Sequence, residues 1–287
     1  MTGARSSWWT AWRRLRRDRR ARLAFALLAL LALAGLLAPL LAPHDPAAQL
    51  DVVRAARLPP STAHPFGTDQ YSRDVLSRLM FGARTSLSIA LLAVLLASTV
   101  GTLYGAIAGY AGGVVDAVMM RVLDGLLAIP RLLLLVGVLA LRGDVGVGPL
   151  ILLLGLTGWF GVSRLVRAEV LSVREREYVT AARALGASAP RILAGHVLPN
   201  VLAPVLVAAS LGAGNVVVLE AGLSYLGVGV RPPTPSWGNM ILDAVGAGHV
   251  ALWWLALFPG LCLLLTVLAF TAIGDALRDA LDPRSSH

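Results

Sequence analysis

The hydrophobic positions of this chain come in long unbroken blocks, not in alternating or stripe-like patterns. Six blocks stand out, at about Leu23–Pro43, Ser86–Ala108, Val118–Leu141, Gly148–Val166, Val201–Leu223 and Ala251–Ile273. Each approaches the ~20 residues with which a helix crosses ~30 Å of hydrocarbon. Backbone N–H and C=O groups cannot stay unpaired in lipid, so such runs must be helical. The lack of a two-residue alternation excludes an outer-membrane barrel. The pattern predicts an all-α membrane protein with six transmembrane helices.

Composition agrees with lipid as the main solvent. The 287 residues are 57% hydrophobic and 14% charged, with a mean hydropathy of +0.73. That is too little charge to coat a soluble domain of this length. All 25 basic residues are arginine, and the net charge is +9. These arginines sit beside the apolar blocks, where membrane orientation explains them better than nucleic-acid binding does. With six spans, sixteen arginines (in 1–22, 164–191 and 278–284) share the side of the N-terminus. Seven (in 54–84, with Arg142 and Arg231) lie opposite, and Arg121 and Arg131 fall within a span. This bias predicts that both termini are cytoplasmic. Trp8, Trp9 and Trp12 then belong at the inner headgroups, and Trp253 and Trp254 at the outer ones.

The first block follows the basic stretch Arg13–Arg22, as the core of a signal peptide would. It is too long for one, and no small-residue cleavage site precedes His44, so it reads as an uncleaved anchor. Arg13-Arg14 belongs to the general arginine cluster and not to a twin-arginine export signal. Cys262 lies in an apolar run with no disulfide or metal partner, and the five histidines are scattered without metal-ligand spacing. The chain divides into 1–85, a basic tail, anchor and external loop, and 86–287, a five-helix core. The longest internal connection, 167–200, is charged and helix-prone.

Within that connection, good helix formers run from Glu177 to Leu185 and Gly186 can end the helix. Ser188 can cap a second helix, with Pro190 in its first turn, and Pro199 closes that segment before the fifth span. Ala181, Ala182 and Ala184 give the first helix a low-relief face that another protein can approach closely. The run from Glu175 to Asn200 resembles the cytoplasmic signature of ABC importer permeases: Ala181, Ala182, Gly186, Leu198 and Pro199 stand in that register. Thr180 departs from the glutamate usual in the family, which leaves Glu177 and Arg183 as the nearby charged groups. His196 stands where isoleucine is common.

Further segments resemble the dipeptide/oligopeptide/nickel branch of that family, in particular its second, C-type permease. They are His64–Asp69, Arg73–Arg78 and Gly82–Leu87 before the second span, with Ser72 in place of the usual glycine. They continue with Glu220–Gly227, Pro232–Gly238 and Gly274–Pro283. The resemblance implies a type I importer fold and a role in moving peptides or similar small solutes across the inner membrane. It implies as partners a second homologous permease, two cytoplasmic ATP-binding subunits and an external substrate-binding protein. The chain itself has no lysine and no phosphate-binding loop, so ATP and Mg belong to the ATPase subunits. It is not itself an enzyme, and no cofactor is expected on it. The coupling loop implied by the resemblance comprises Glu177, Thr180, Ala181, Ala182, Arg183, Ala184, Leu185, Gly186, Leu198 and Pro199.

Charges inside spans are the next candidates, because they are costly in lipid. Arg121 and Asp124 are spaced to pair on one helix face, and Arg131 lies deeper, at a pathway or subunit interface. Glu220 is expected at a helix–loop junction. Pro232, Pro233 and Trp237 form a candidate outer gate, the proline run extended and Trp237 at the membrane interface. Pro259-Gly260 suggests a kink in the last span. Two rivals remain. An ion-coupled secondary transporter would show inverted repeats and midplane carboxylates, and a membrane enzyme would need a polar cluster at one face. Neither feature is evident in the sequence.

Overall fold

The computed structural model describes residues 12–49, 51–142, 146–246 and 252–281. The expectations for Trp8, Trp9, Arg5, Arg284, His249 and His287 lie outside these residues. The described chain is helical, with one isolated β-bridge between Thr68 and Asp74. Residues 12–17 are helical, and after Asp18 the helices in order are α1 (Arg19–Leu36), α2 (Ala38–Leu41), α3 (Val75–Ala111), α4 (Gly113–Leu127), α5 (Arg131–Arg142) and α6 (Val147–Arg174). Then come α7 (Glu177–Ala184), α8 (Ala189–Ile192), a π-turn (Leu193–Val197), α9 (Leu198–Tyr225), α10 (Trp237–Gly246) and α11 (Trp253–Leu281). Among the described residues α3, α6, the continuous run Ala189–Tyr225 and α11 are long and apolar enough to cross a membrane. The bent pair α4–α5 makes a fifth candidate.

Three expectations change. The third apolar block is not one helix: α4 and α5 meet at 70°. Pro130 between them cannot donate to the helix ladder, and its ring disfavours helical backbone at Ile129. The first block is divided too. α1 ends at Leu36, α2 restarts with Pro39 in its first turn, and α1 carries Arg19, Arg20 and Arg22, which keeps it outside the four apolar helices. Finally, Pro199 ends nothing. The π-turn just before it widens the ladder where the proline has no N–H to give, and the helix continues into α9.

α3 begins at Val75, well before the apolar block, because Asp74 caps it: the carboxylate accepts from the Ser77 amide at 2.8 Å. At 1.5 Å per residue its 37 residues reach ~55 Å and overrun the hydrocarbon. Its main partner is α6. Gly101, Gly105 and Gly109 recur every fourth residue along α3, continuing Ala93 and Ala97, and let the two backbones meet. A methyl added at Gly105 would stand 2.3 Å from the Ser163 carbonyl oxygen. In lipid, helix pairing rests on such close packing, because tails are as apolar as leucine. α9 packs on α3 and α11, and α1 leans on α11 and α3. α11 runs through Pro259 as one helix.

Candidate coupling face and membrane cavity

The exposed elbow between α6 and α9 is fixed from beneath. Val179 of α7 is fully buried and packs in one cluster with Val166, Val170 and Val173 of α6, Ile192, and Val197, Val201 and Val205. α7 closes on Gly186, whose φ of +79° is the left-handed conformation that glycine adopts freely. The Ala187 amide donates to the Ala182 carbonyl across that turn. Ser188 stands at the start of α8 as expected, but its side chain makes no capping bond.

With Val179 turned inward, the rest of α7 faces out. Glu177, Thr180, Ala181, Arg183 and Ala184 are exposed, Ala182 is half-buried, and Leu185 is 88% exposed. Leu198 and Pro199 are half-buried at the foot of α9. The elbow therefore shows an unpartnered apolar tip on a rigid base.

Charged ties hold the same end of the bundle. Arg167 of α6 grips Asp116 of α4 with two hydrogen bonds, and Arg174 donates to the Gly109 carbonyl at 2.9 Å. Asp124 pairs with Arg164 across the helices and not with Arg121, which is exposed. The sequence-local pairing of Arg121 and Asp124 lost to a partner on a neighbouring helix, which spacing along one chain cannot reveal.

At the opposite end the segments 44–49, 51–78 and 224–246 form a polar cap. Arg73 donates to Asp69 (2.6 Å) and to Asp243 (2.8 Å), and Arg78 reaches Asp243 (3.0 Å) and Asp69 (3.3 Å). The two arginines are 5% and 2% exposed, so each carboxylate neutralises a charge that water cannot reach. Burial pushes the Asp243 carboxyl above the usual carboxylate range, although both guanidiniums pull it down. His64 shares a 2.9 Å hydrogen bond with Asp74, and the His44 ring lies tilted 4.9 Å from that of His64 with its Nδ1 3.8 Å from the same carboxylate. These two histidines, scattered in sequence, are neighbours in space.

Glu220 is more than a junction cap. It is fully buried and accepts from Ser86 of α3 (3.0 Å) and Ser224 (2.8 Å). The same serines accept from the Trp237 and Val230 amides, so one carboxylate organises the entry of α10. Trp237, expected at the interface, is instead at the centre of this cap. It is fully buried over Gly82, with its indole N–H on the Leu79 carbonyl. Pro232 and Pro233 are exposed and lie in a turn, not an extended run. Asn239 closes that turn by donating to the Val230 and Thr234 carbonyls.

Between the two ends lies a cavity of about 260 Å³ walled by α3, α5, α6 and α9. Arg131, the first residue of α5, faces it and is, among the described residues, the only ionisable side chain in its lining. Sequence reasoning missed the inter-helix ion pairs because they join distant residues. The glycine ladder of α3, by contrast, is readable from its four-residue period.

Comparison with known proteins agrees with this architecture. Residues 101–287 match the family described as the binding-protein-dependent transport system inner membrane component. Residues 6–60 match the N-terminal TM domain of oligopeptide transport permease C. The chain is 38% identical over 277 residues to the dipeptide transport system permease protein DppC of Bacillus subtilis, covering 96% of this chain and 85% of that one. It is 44% identical over 256 residues to DppC of Escherichia coli K12, covering 87% and 84%. Against DppC of Haemophilus influenzae it is 40% identical over 255 residues, covering 87% and 85%. A multi-pass helical bundle with these matches along nearly its whole length belongs to the inner-membrane permease family of binding-protein-dependent ABC importers, in its dipeptide/oligopeptide C-type branch.

Proposed function

We propose that this chain forms one half of the membrane pathway of a peptide importer and that α7 is the surface on which an ATPase subunit acts. The observation that carries this reading is the elbow: Leu185 is 88% exposed at its tip while Val179 is buried at its base. A partner that grips the tip moves the base, and the base is packed into α6 and α9. ATPase closure then biases the permease between an outward-open and an inward-open state. Glu177 and Arg183 supply the polar rim of the contact. In this reading α1 with α2 is a sixth span, the termini and α7 are cytoplasmic, and the Arg73–Asp243 cap faces out toward a substrate-binding protein. A second homologous permease completes the pathway, and two ATP-binding subunits hold ATP and Mg. The relatives' names carry peptide as the substrate class.

The test uses Cys262→Ala protein carrying a single new cysteine at Ala181 or Leu185. In native membranes an α7 cysteine is expected to crosslink to an ATP-hydrolysing subunit and to resist impermeant labels added outside. Labelling from outside, with no ATPase adduct, refutes the reading.

A further inference from the structure

Arg131 opens α5 just after the break at Pro130 and lies within the candidate broken span. A guanidinium there needs a counter-charge, because an unpaired charge in a low-dielectric setting is costly. Its protein partners are neutral. Nε donates to Thr157 Oγ1 at 3.2 Å and Nη2 to the Leu154 carbonyl at 2.9 Å. Among the described residues no carboxylate comes within ion-pair distance. The Thr157 hydroxyl spends its proton on the Leu153 carbonyl (2.8 Å), which leaves its lone pair for the arginine. These contacts orient the side chain without neutralising it, and two of five N–H donors are used.

The surroundings keep room in front of the guanidinium. Gly158 lies beneath it, and a methyl there would come within 3.2 Å of Nη2 and of the Ala97 side chain. Gly212 and Ala97 leave the adjoining wall low, and Asn215 offers an amide to the same cavity. Ser98 belongs to the wall as well, with its hydroxyl oxygen turned away from the open space. A neutral or cationic guest would leave the arginine uncompensated, whereas a carboxylate accepts from a guanidinium in two parallel bonds. The volume of about 260 Å³ is below that of pockets that enclose a whole drug-sized ligand, ~300–1,000 Å³. It fits the end of an extended solute.

We propose that Arg131 takes the free carboxylate end of the transported peptide as it crosses. The inference rests on the permease reading above and adds a substrate feature to it: selection of free acids over their neutral analogues inside the membrane.

The test is uptake by the complete importer in liposomes, with radiolabelled Ala-Ala and Ala-Ala amide as the two substrates. One binding protein serves every variant, so its own selectivity cancels when permeases are compared. Wild type is expected to favour the acid. Arg131→Gln is expected to lower acid uptake roughly 10- to 100-fold, the range for losing a hydrogen bond to a charged group, and to bring the acid and amide rates together. Arg131→Lys, which keeps the charge and loses the fork, should retain part of the preference. Unchanged acid uptake by Arg131→Gln overturns the proposal. So does an equal loss for acid and amide, or release of the second permease from the purified complex, which would assign Arg131 to packing or to the subunit interface. A preference that vanishes when anionic lipid is omitted assigns the site to a headgroup phosphate and overturns it as well. Absence of ATP-dependent uptake in wild type would instead remove the permease reading itself.

Discussion

The seam between α3 and α6 yields the sharpest energetic prediction. In Gly105→Ala the new Cβ would stand 2.3 Å from the Ser163 carbonyl oxygen, 2.9 Å from Val166 Cβ and 3.0 Å from the Arg167 amide nitrogen. Two of these three are backbone atoms of α6, so no rotamer change relieves the contact and the helices must part. Overpacking of this kind costs about 1–3 kcal/mol, and contact with backbone places it at the upper end. Alanine also gains about 1 kcal/mol of intrinsic helix propensity over glycine, which leaves a net loss of about 1–2 kcal/mol. Gly161→Ala in α6 is the control, because an added Cβ there meets nothing within 4 Å and only the propensity gain acts. Thermal unfolding of both purified variants in one detergent checks the pair. Gly105→Ala is expected to melt several degrees below the parent, at roughly 2–4 °C per kcal/mol, and Gly161→Ala at or above it. If Gly105→Ala melts with the parent, or Gly161→Ala falls as far, close backbone packing is not what joins these helices.

Three further outcomes follow from other parts of the structure. Leu185→Asp and Ala181→Trp lie on the exposed face of α7, so stability should change by no more than about 0.5 kcal/mol, while uptake per ATP hydrolysed falls by about tenfold or more; uptake and ATPase assays on the same liposomes decide it. Asp243→Ala strips Arg73 and Arg78 of a shared counter-ion at 5% and 2% exposure, a loss of about 3–5 kcal/mol that denaturation of the purified chain would show, and near-native stability would mean the cap is wet. Glu220→Gln keeps an acceptor for one serine hydroxyl and turns an NH2 donor toward the other, so it should cost about 1 kcal/mol. Glu220→Ala strands both donors and should cost about 2–3 kcal/mol, and equal losses for the two would show that charge, not hydrogen bonding, matters at that site.

Features governed by the local chain were readable from the sequence. Continuous apolar runs marked the long helices, and glycine at 186, where φ is positive, marked the end of α7. Proline was harder to interpret. Pro130 breaks a run, Pro199 follows a π-turn inside a continuous helix, and Pro259 sits within an unbroken one. The ring forbids the same bond in each case; what differs is whether packing around it can absorb the loss. Features joining distant segments left little trace. Asp124 could be paired with Arg121 by spacing alone, because the competing Arg164 lies on another helix. Trp237 looked like an interfacial ring until Gly82 and Ser86 of α3 supplied its pocket.

The seam, the elbow and the cavity belong to one mechanical unit. α6 carries the glycine-fitted face that meets α3, and the same helix supplies Leu154 and Thr157 to Arg131 and Val166, Val170 and Val173 to the cluster that buries Val179. A force applied at the proposed α7 contact therefore reaches α6 and α9, the two spans that share its buried cluster, and α6 cannot shift along α3 without carrying the Leu154 carbonyl and Gly158 past the guanidinium. The break at Pro130 leaves α5 free of the α4 segment that Arg167 and Arg164 tie to α6. On the proposed reading Arg131 stands on α5 and is oriented by the driven α6, so movement of α7 changes the shape of the cavity itself. This ordering predicts that weakening the Arg167–Asp116 tie, as in Asp116→Asn, alters coupling without altering the acid-over-amide preference. Arg131→Gln should do the reverse, with uptake per ATP read on the amide, whose transport does not depend on the guanidinium. Measuring uptake per ATP and the acid-to-amide ratio on both variants separates the two functions, and a variant that moves both quantities together would show that they are not separable.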